Sequence, residues 1–123
     1  MRAYALVCLP ACLLAAALPA AAAAPFDFDT APGRLPKNVV PVDYTVAIVP
    51  DARTRTLSGT ERVVLQFRQA TDTLVFNSLN QRLGQVRLDG RPVKRVVTSD
   101  AQQLTTVTLP RPAAPGRHVL SFS

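Results

Sequence analysis

An all-β fold, an antiparallel β-sandwich, is what this sequence predicts, and three observations predict it. Apolar and polar residues alternate with a period of two in short runs, and Pro, Gly, Asp and Asn gather between those runs. Beyond residue 24 no stretch carries the helical period. Seven such runs, spaced by turn signals, have the rhythm of a sandwich.

The chain opens on a leader. Met1 and Arg2 precede an uncharged run from Ala3 to Ala24 dominated by Ala and Leu, which reads as a secretory signal peptide over 1–24. The tract Ala20 to Ala24 offers small-residue cleavage sites, placing the cut between Ala22 and Pro25. A retained anchor would need about 20 consecutive apolar residues, and here Pro10 and Pro19 interrupt the run. Leu9-Pro10-Ala11-Cys12 is a poor lipidation box, since Pro stands where a small residue is usual. The reading is export, to the periplasm or the medium, with no stable membrane span after cleavage.

From 25 to 38 the residues Pro25, Pro32, Gly33 and Pro36 resist both helix and sheet interior, so this segment is expected to be extended. Phe26 and Phe28, alternating with Asp27 and Asp29, either pin it to a surface or fray with it. The span 39–123 is expected to hold the sandwich. Val42, Tyr44, Val46 and Ile48 share one side of a first strand, which Pro50-Asp51 stops. In the second, Val63, Leu65 and Phe67 share a face, and Gly59 signals a bulge or a close backbone approach. Thr73 to Phe76 forms a short third strand. Val86 and Leu88 lead into Asp89-Gly90, a tight-turn dipeptide whose return strand is expected over Val93 to Thr98. Ser99 to Gln102 turns, Leu104 to Leu109 is a Thr-rich strand, and Pro110, Pro112, Pro115 and Gly116 suggest a loop. The last strand alternates Arg117, Val119 and Ser121 against His118, Leu120 and Phe122. It runs into Ser123 without a turn, so the sandwich is expected to be incomplete at its C-terminal end.

Both cysteines, Cys8 and Cys12, fall in the leader, so no disulfide framework supports the rest of the chain. The formal net charge of +6 invites a nucleic-acid reading. The arginines are scattered (Arg53, Arg62, Arg68, Arg82, Arg117), and only Phe67 and Phe76 lie between Thr45 and Val119 as stacking platforms. Arg91, Lys94 and Arg95 are the one tight basic group. Nucleic acid is therefore not an expected partner.

Catalytic groups are scarce. A zinc peptidase needs two histidines one helical turn apart with a carboxylate base, as in H-E-x-x-H. His118 is the only histidine, and it reads as a half-exposed strand residue. There is no cysteine beyond the leader and no G-x-S-x-G elbow; Ser58 reads as a turn residue. Glu61 is the sole glutamate, and Asp51, Asp89 and Asp100 sit where turns use aspartate, so a glycosidase carboxylate pair is not expected. The expectation is no catalytic, cofactor-binding or metal-binding residue in this chain.

The order of Leu35-Pro36, Val40-Pro41-Val42-Asp43-Tyr44, Ile48-Val49-Pro50-Asp51, Leu57-Ser58-Gly59, the strand Thr71 to Ser78 and Leu120-Ser121-Phe122 resembles the opening of aminopeptidase N family enzymes. The resemblance covers Leu35 to Ser123. It implies a saddle-like N-terminal β-sandwich packed on a thermolysin-like catalytic domain that carries the zinc. The family's Gly-x-Met-Glu-Asn segment and H-E-x-x-H helix, both in that second domain, do not occur here. The expected role is a non-catalytic N-terminal segment of an exported zinc aminopeptidase, not itself an enzyme. Its partner would be an aminopeptidase catalytic domain in cis or as a split product. The alternative is a free-standing secreted β-sandwich binding module.

Overall fold

A computed structural model describes residues 24–123. The leader reading, including Cys8 and Cys12, falls outside the described residues but for Ala24. The described chain contains eight strands and no helix: β1 Val39–Asp51, β2 Thr56–Phe67, β3 Thr71–Asn77, β4 Arg87–Leu88, β5 Arg91–Pro92, β6 Arg95–Ser99, β7 Leu104–Ala113 and β8 Gly116–Phe122. Every strand pair is antiparallel. A five-stranded sheet runs β1-β2-β8-β4-β5, and a three-stranded sheet runs β3-β7-β6. The architecture is thus the all-β antiparallel fold that the alternation predicts.

Between the sheets lies a core of Val63, Leu65, Phe67, Leu74, Val86, Leu88, Val107, Leu109 and Leu120. Period two explains its composition: Val63, Leu65 and Phe67 face inward from β2, and Thr105, Val107 and Leu109 do so from β7. The sheets are keyed together by the stacked rings of Phe76 and Phe122, 5.7 Å apart and nearly parallel. Thr105 brings a hydroxyl into this interior. Its Oγ1 lies 2.6 Å from Ser78 Oγ and 2.9 Å from Thr98 Oγ1, so the polar atoms satisfy one another.

The turns use the residues that suit them. Asp51 Oδ1 accepts from the backbone N–H groups of Arg53 and Thr54, at 2.8 and 3.2 Å. Asp89 and Gly90 both take positive φ, 50° and 76°, as a tight hairpin of the primed type requires. At 25–38 the chain has turns but no strand. Phe28 sits under two cations, Lys37 Nζ and the Arg68 guanidinium, each 5.5 Å from the ring. Arg68 also pairs with Asp29, and Lys37 Nζ donates to the carbonyls of Asp29 and Ala31. Phe28 therefore pins this segment, whereas Phe26 stays in solvent.

Three local expectations are corrected. The return from Asp89-Gly90 is only Arg91–Pro92, and the chain then changes sheets: Val93 N–H still donates to Val86 O, but Lys94 N–H donates to Thr108 O and β6 pairs with β7. Pro92 has no N–H to extend the first ladder, which favours the departure there. Pro110 and Pro112 lie within the extended β7 rather than in a loop, and Ala113 still pairs with Thr71 across a register shift. Gly59 is a close approach and not a bulge, because the β1–β2 register runs unbroken through Ile48 and Gly59; the shift lies at Pro41/Asp43.

Candidate functional site

The inner face of the five-stranded sheet can be followed along one row of cross-strand neighbours, Tyr44, Val63, Leu120 and Leu88. Val63, Leu120 and Leu88 are 5%, 3% and 8% exposed, but Tyr44 is 57% exposed. The cover provided by the three-stranded sheet ends at β2. Val46 and Ile48, the next inward positions of β1, are equally open, as is Leu57 opposite Pro50. A groove of about 820 Å³ takes in Tyr44 at one end of this strip and runs from there between β2 and β3 to the 25–38 segment, with Phe26 and Phe28 at one side. A second concavity of about 290 Å³ beside Glu61 and Phe122 is shallower and open to solvent. The large groove is the site-sized feature of the described residues, and its walls are mainly apolar, with Arg34, Lys37, Glu61, Asn77 and Gln81 among the polar side chains that line it.

Its chemistry is that of packing. Tyr44 is the one titratable group on the strip with a displaced pKa, raised by partial burial and further by the Glu61 carboxylate across the ladder. About half of Tyr44 is open to solvent, as suits a side chain with an apolar body and a polar tip. Glu61, the sole glutamate, is half-buried in β2 opposite Val46 and Phe122. Ser58 lies within β2, opposite Val49, rather than in a turn. Among the described residues no three His, Cys, Asp or Glu side chains converge to hold a metal.

The polar cluster with most structure lies at the other end of the sheet. His118 Nδ1 is 2.7 Å from Asp89 Oδ2, and its Nε2 is 2.8 Å from the Ala114 carbonyl oxygen. The ring packs on Phe67 at 4.5 Å between centroids. Asp89 Oδ1 accepts from the Val119 N–H at 2.8 Å, and the Asp89 N–H donates to Val119 O. The Asp89 bond raises the His118 pKa above its ordinary value; burial opposes this and the Ala114 carbonyl adds to it. For Asp89, burial is the largest single influence and disfavours the charge. It is outweighed by the His118 bond, the Val119 N–H and the positive charges of His118 and Arg91, so the pKa is lowered. Sequence reading places His118 on its strand but misses this environment, because Asp89 lies 29 residues away and looks like an ordinary turn residue. Arg91, Lys94 and Arg95 are all exposed, strung along β5 and the start of β6.

No family model matches the chain. Over 104 residues it is 32% identical to an aminopeptidase N of Acetobacter pasteurianus, a match that covers 85% of this chain and 29% of that protein. Over 78 residues it is 27% identical to the mitochondrial aminopeptidase 2 of Saccharomyces cerevisiae, covering 63% of this chain and 8% of the relative. The fold is similar to an M1 zinc metallopeptidase from Deinococcus radiodurans, with a TM-score of 0.57 and 27% identity over 72% of this chain and 21% of that one. The chain spans less than a third of the length of the curated relatives it matches. Sequence and fold agree on one relationship: this chain is a relative of aminopeptidase N and the M1 zinc metallopeptidases, matching their N-terminal β domain and a minor part of their length.

Proposed function

We propose that the chain is a non-catalytic N-terminal β-sandwich segment of an exported zinc aminopeptidase, serving hydrolysis of N-terminal peptide residues by a catalytic domain that lies outside it. The observation that carries this reading is the aminopeptidase N match, which takes in 85% of this chain but 29% of the relative. Zinc and the hydrolytic groups would belong to that other domain. Export is inferred from the uncharged leader with its Ala-rich end.

The open inner strip of β1 supports a structural role in the same reading. Tyr44, Val46 and Ile48 present apolar surface in line with the core, and burial of each would contribute about 1.5–3 kcal/mol once covered. Further polypeptide of the aminopeptidase, in cis or as a split product, is the partner we assign to that strip.

The coding DNA beyond Ser123, read in all frames, tests the proposal. Segments encoding Gly-x-Met-Glu-Asn and H-E-x-x-H are the expected finding. A stop with no peptidase remnant would replace this reading with the free-standing binding module. N-terminal sequencing of protein from the extracytoplasmic fraction tests export: a start near Ala22 to Pro25 is expected, and an intact Met1 would contradict it.

A further inference from the structure

We propose that His118 is a protonation-dependent clasp that fastens the β4–β5 turn, through Asp89, to the β7–β8 turn, through Ala114. The two-residue strands β4 and β5 share a ladder of only two residue pairs, so this turn has little sheet of its own to hold it. Besides the two β4–β8 pairs and the buried Leu88, its tether to the rest of the sheet is Asp89: backbone N–H to Val119 O, Oδ1 to the Val119 N–H, and Oδ2 to His118.

The geometry requires a particular charge state. Both ring nitrogens of His118 face oxygens, a carboxylate at 2.7 Å and a carbonyl at 2.8 Å. A neutral imidazole has one N–H and one lone pair, so it can donate to only one of them and would turn its lone pair on the other. Imidazolium donates to both at once. The carbonyl cannot reverse its role, and Asp89, whose Oδ2 faces the ring while its Oδ1 takes the Val119 N–H, offers both oxygens as full acceptors in its ionised form. The full clasp therefore exists when His118 is protonated and Asp89 is not.

The surroundings agree. β2 contributes only the apolar Phe67, on whose ring the imidazole rests, and Leu65, its ladder partner. The β4–β5 turn contributes the Asp89 carboxylate and, near it, the Arg91 guanidinium, while Arg87 donates to Gly90 O. Arg117, the neighbouring residue in β8, is exposed on the opposite face. Asp89 is thus the one carboxylate among the groups facing His118.

Both groups set the sign of the pH dependence. His118 has a raised folded pKa, so its contribution is complete below its ordinary value of 6.5 and is lost as pH rises through the higher folded value. Asp89 has a lowered folded pKa, so its contribution is present above 3.8 and is lost as pH falls through the lower folded value. The clasp is closed between these limits and opens as pH rises through the His118 titration. A protein outside the cytoplasm meets such changes directly, which gives the device a use under the export reading.

As the sole histidine of the chain, His118 can be titrated by its ring-proton NMR signals without ambiguity. The full chain should show a pKa above 6.5, and Asp89→Asn should lower it. Hydrogen-exchange protection of the Asp89 and Val119 amides should fall as pH rises through that titration, and His118→Gln should abolish this pH-linked loss. Titration at or below the ordinary value, no response to Asp89→Asn, or protection that stays flat through the titration would each overturn the clasp. Should His118→Gln fail to fold, the titration of the unmodified chain and of Asp89→Asn decides the matter alone. None of these readouts depends on the aminopeptidase assignment.

Discussion

Gly59 lies so close to Ala47 on the neighbouring strand that a Cβ added to it would stand 2.2 Å from the Ala47 carbonyl oxygen. The obstacle is backbone, not a side chain that could swing aside. Glycine is here because the β1 and β2 chains approach each other, and its φ is not in the left-handed region. Gly59→Ala should therefore separate the strands and destabilise the fold by about 1–3 kcal/mol, the usual cost of overpacking. Denaturant unfolding checks this through a lower midpoint. Gly33→Ala, where nothing lies within 4 Å, should be nearly silent.

Phe67 and Tyr44 both lie on the inner face of the five-stranded sheet but should respond very differently. Phe67 is fully buried, and Phe67→Ala should cost about 3–5 kcal/mol. Tyr44→Ser removes a side chain that the described fold leaves half open, and should cost well under that in this chain alone. If further aminopeptidase polypeptide covers the strip, the cost of Tyr44→Ser should grow in the longer protein. Thermal or urea unfolding of these variants, each beside its parent chain, gives the comparison.

Thr105 is the hub of a hydroxyl chain that joins the buried Ser78 to Thr98 at the surface. Thr105→Val keeps the shape and removes the hydroxyl, leaving the buried Ser78 hydroxyl without its partner. A loss of about 1–3 kcal/mol is expected, the cost of an unsatisfied buried polar group. Ser78→Ala in the same background should recover part of it, because the orphaned hydroxyl is then gone; a double-mutant cycle measures the coupling.

How far these features could be read beforehand depends on how local their causes are. The inward set Val63, Leu65 and Phe67 is written in one strand's alternation, and Asp89-Gly90 announces its own turn. The path of the chain after Gly90 has no local cause: the turn predicts a return strand, yet β6 joins the other sheet because Lys94 finds Thr108 there. Alternation in β1 marks Tyr44, Val46 and Ile48 as an apolar face but carries no information about what covers it. His118 and Asp89 meet only through the pairing of β4 with β8. Their roles emerge from topology, and no spacing in the sequence marks them.

The proposed role of this chain is scaffold to a zinc aminopeptidase, with no chemistry of its own. The chain has one histidine, and among the described residues no three His, Cys, Asp or Glu side chains converge as the ligands of a catalytic zinc do. Metal analysis of the purified chain, run beside an amino-acyl amide hydrolysis assay on the same fractions, tests the claim most directly. The account predicts no stoichiometric zinc and no turnover. Zinc-dependent hydrolysis that tracks the chain through purification would contradict it.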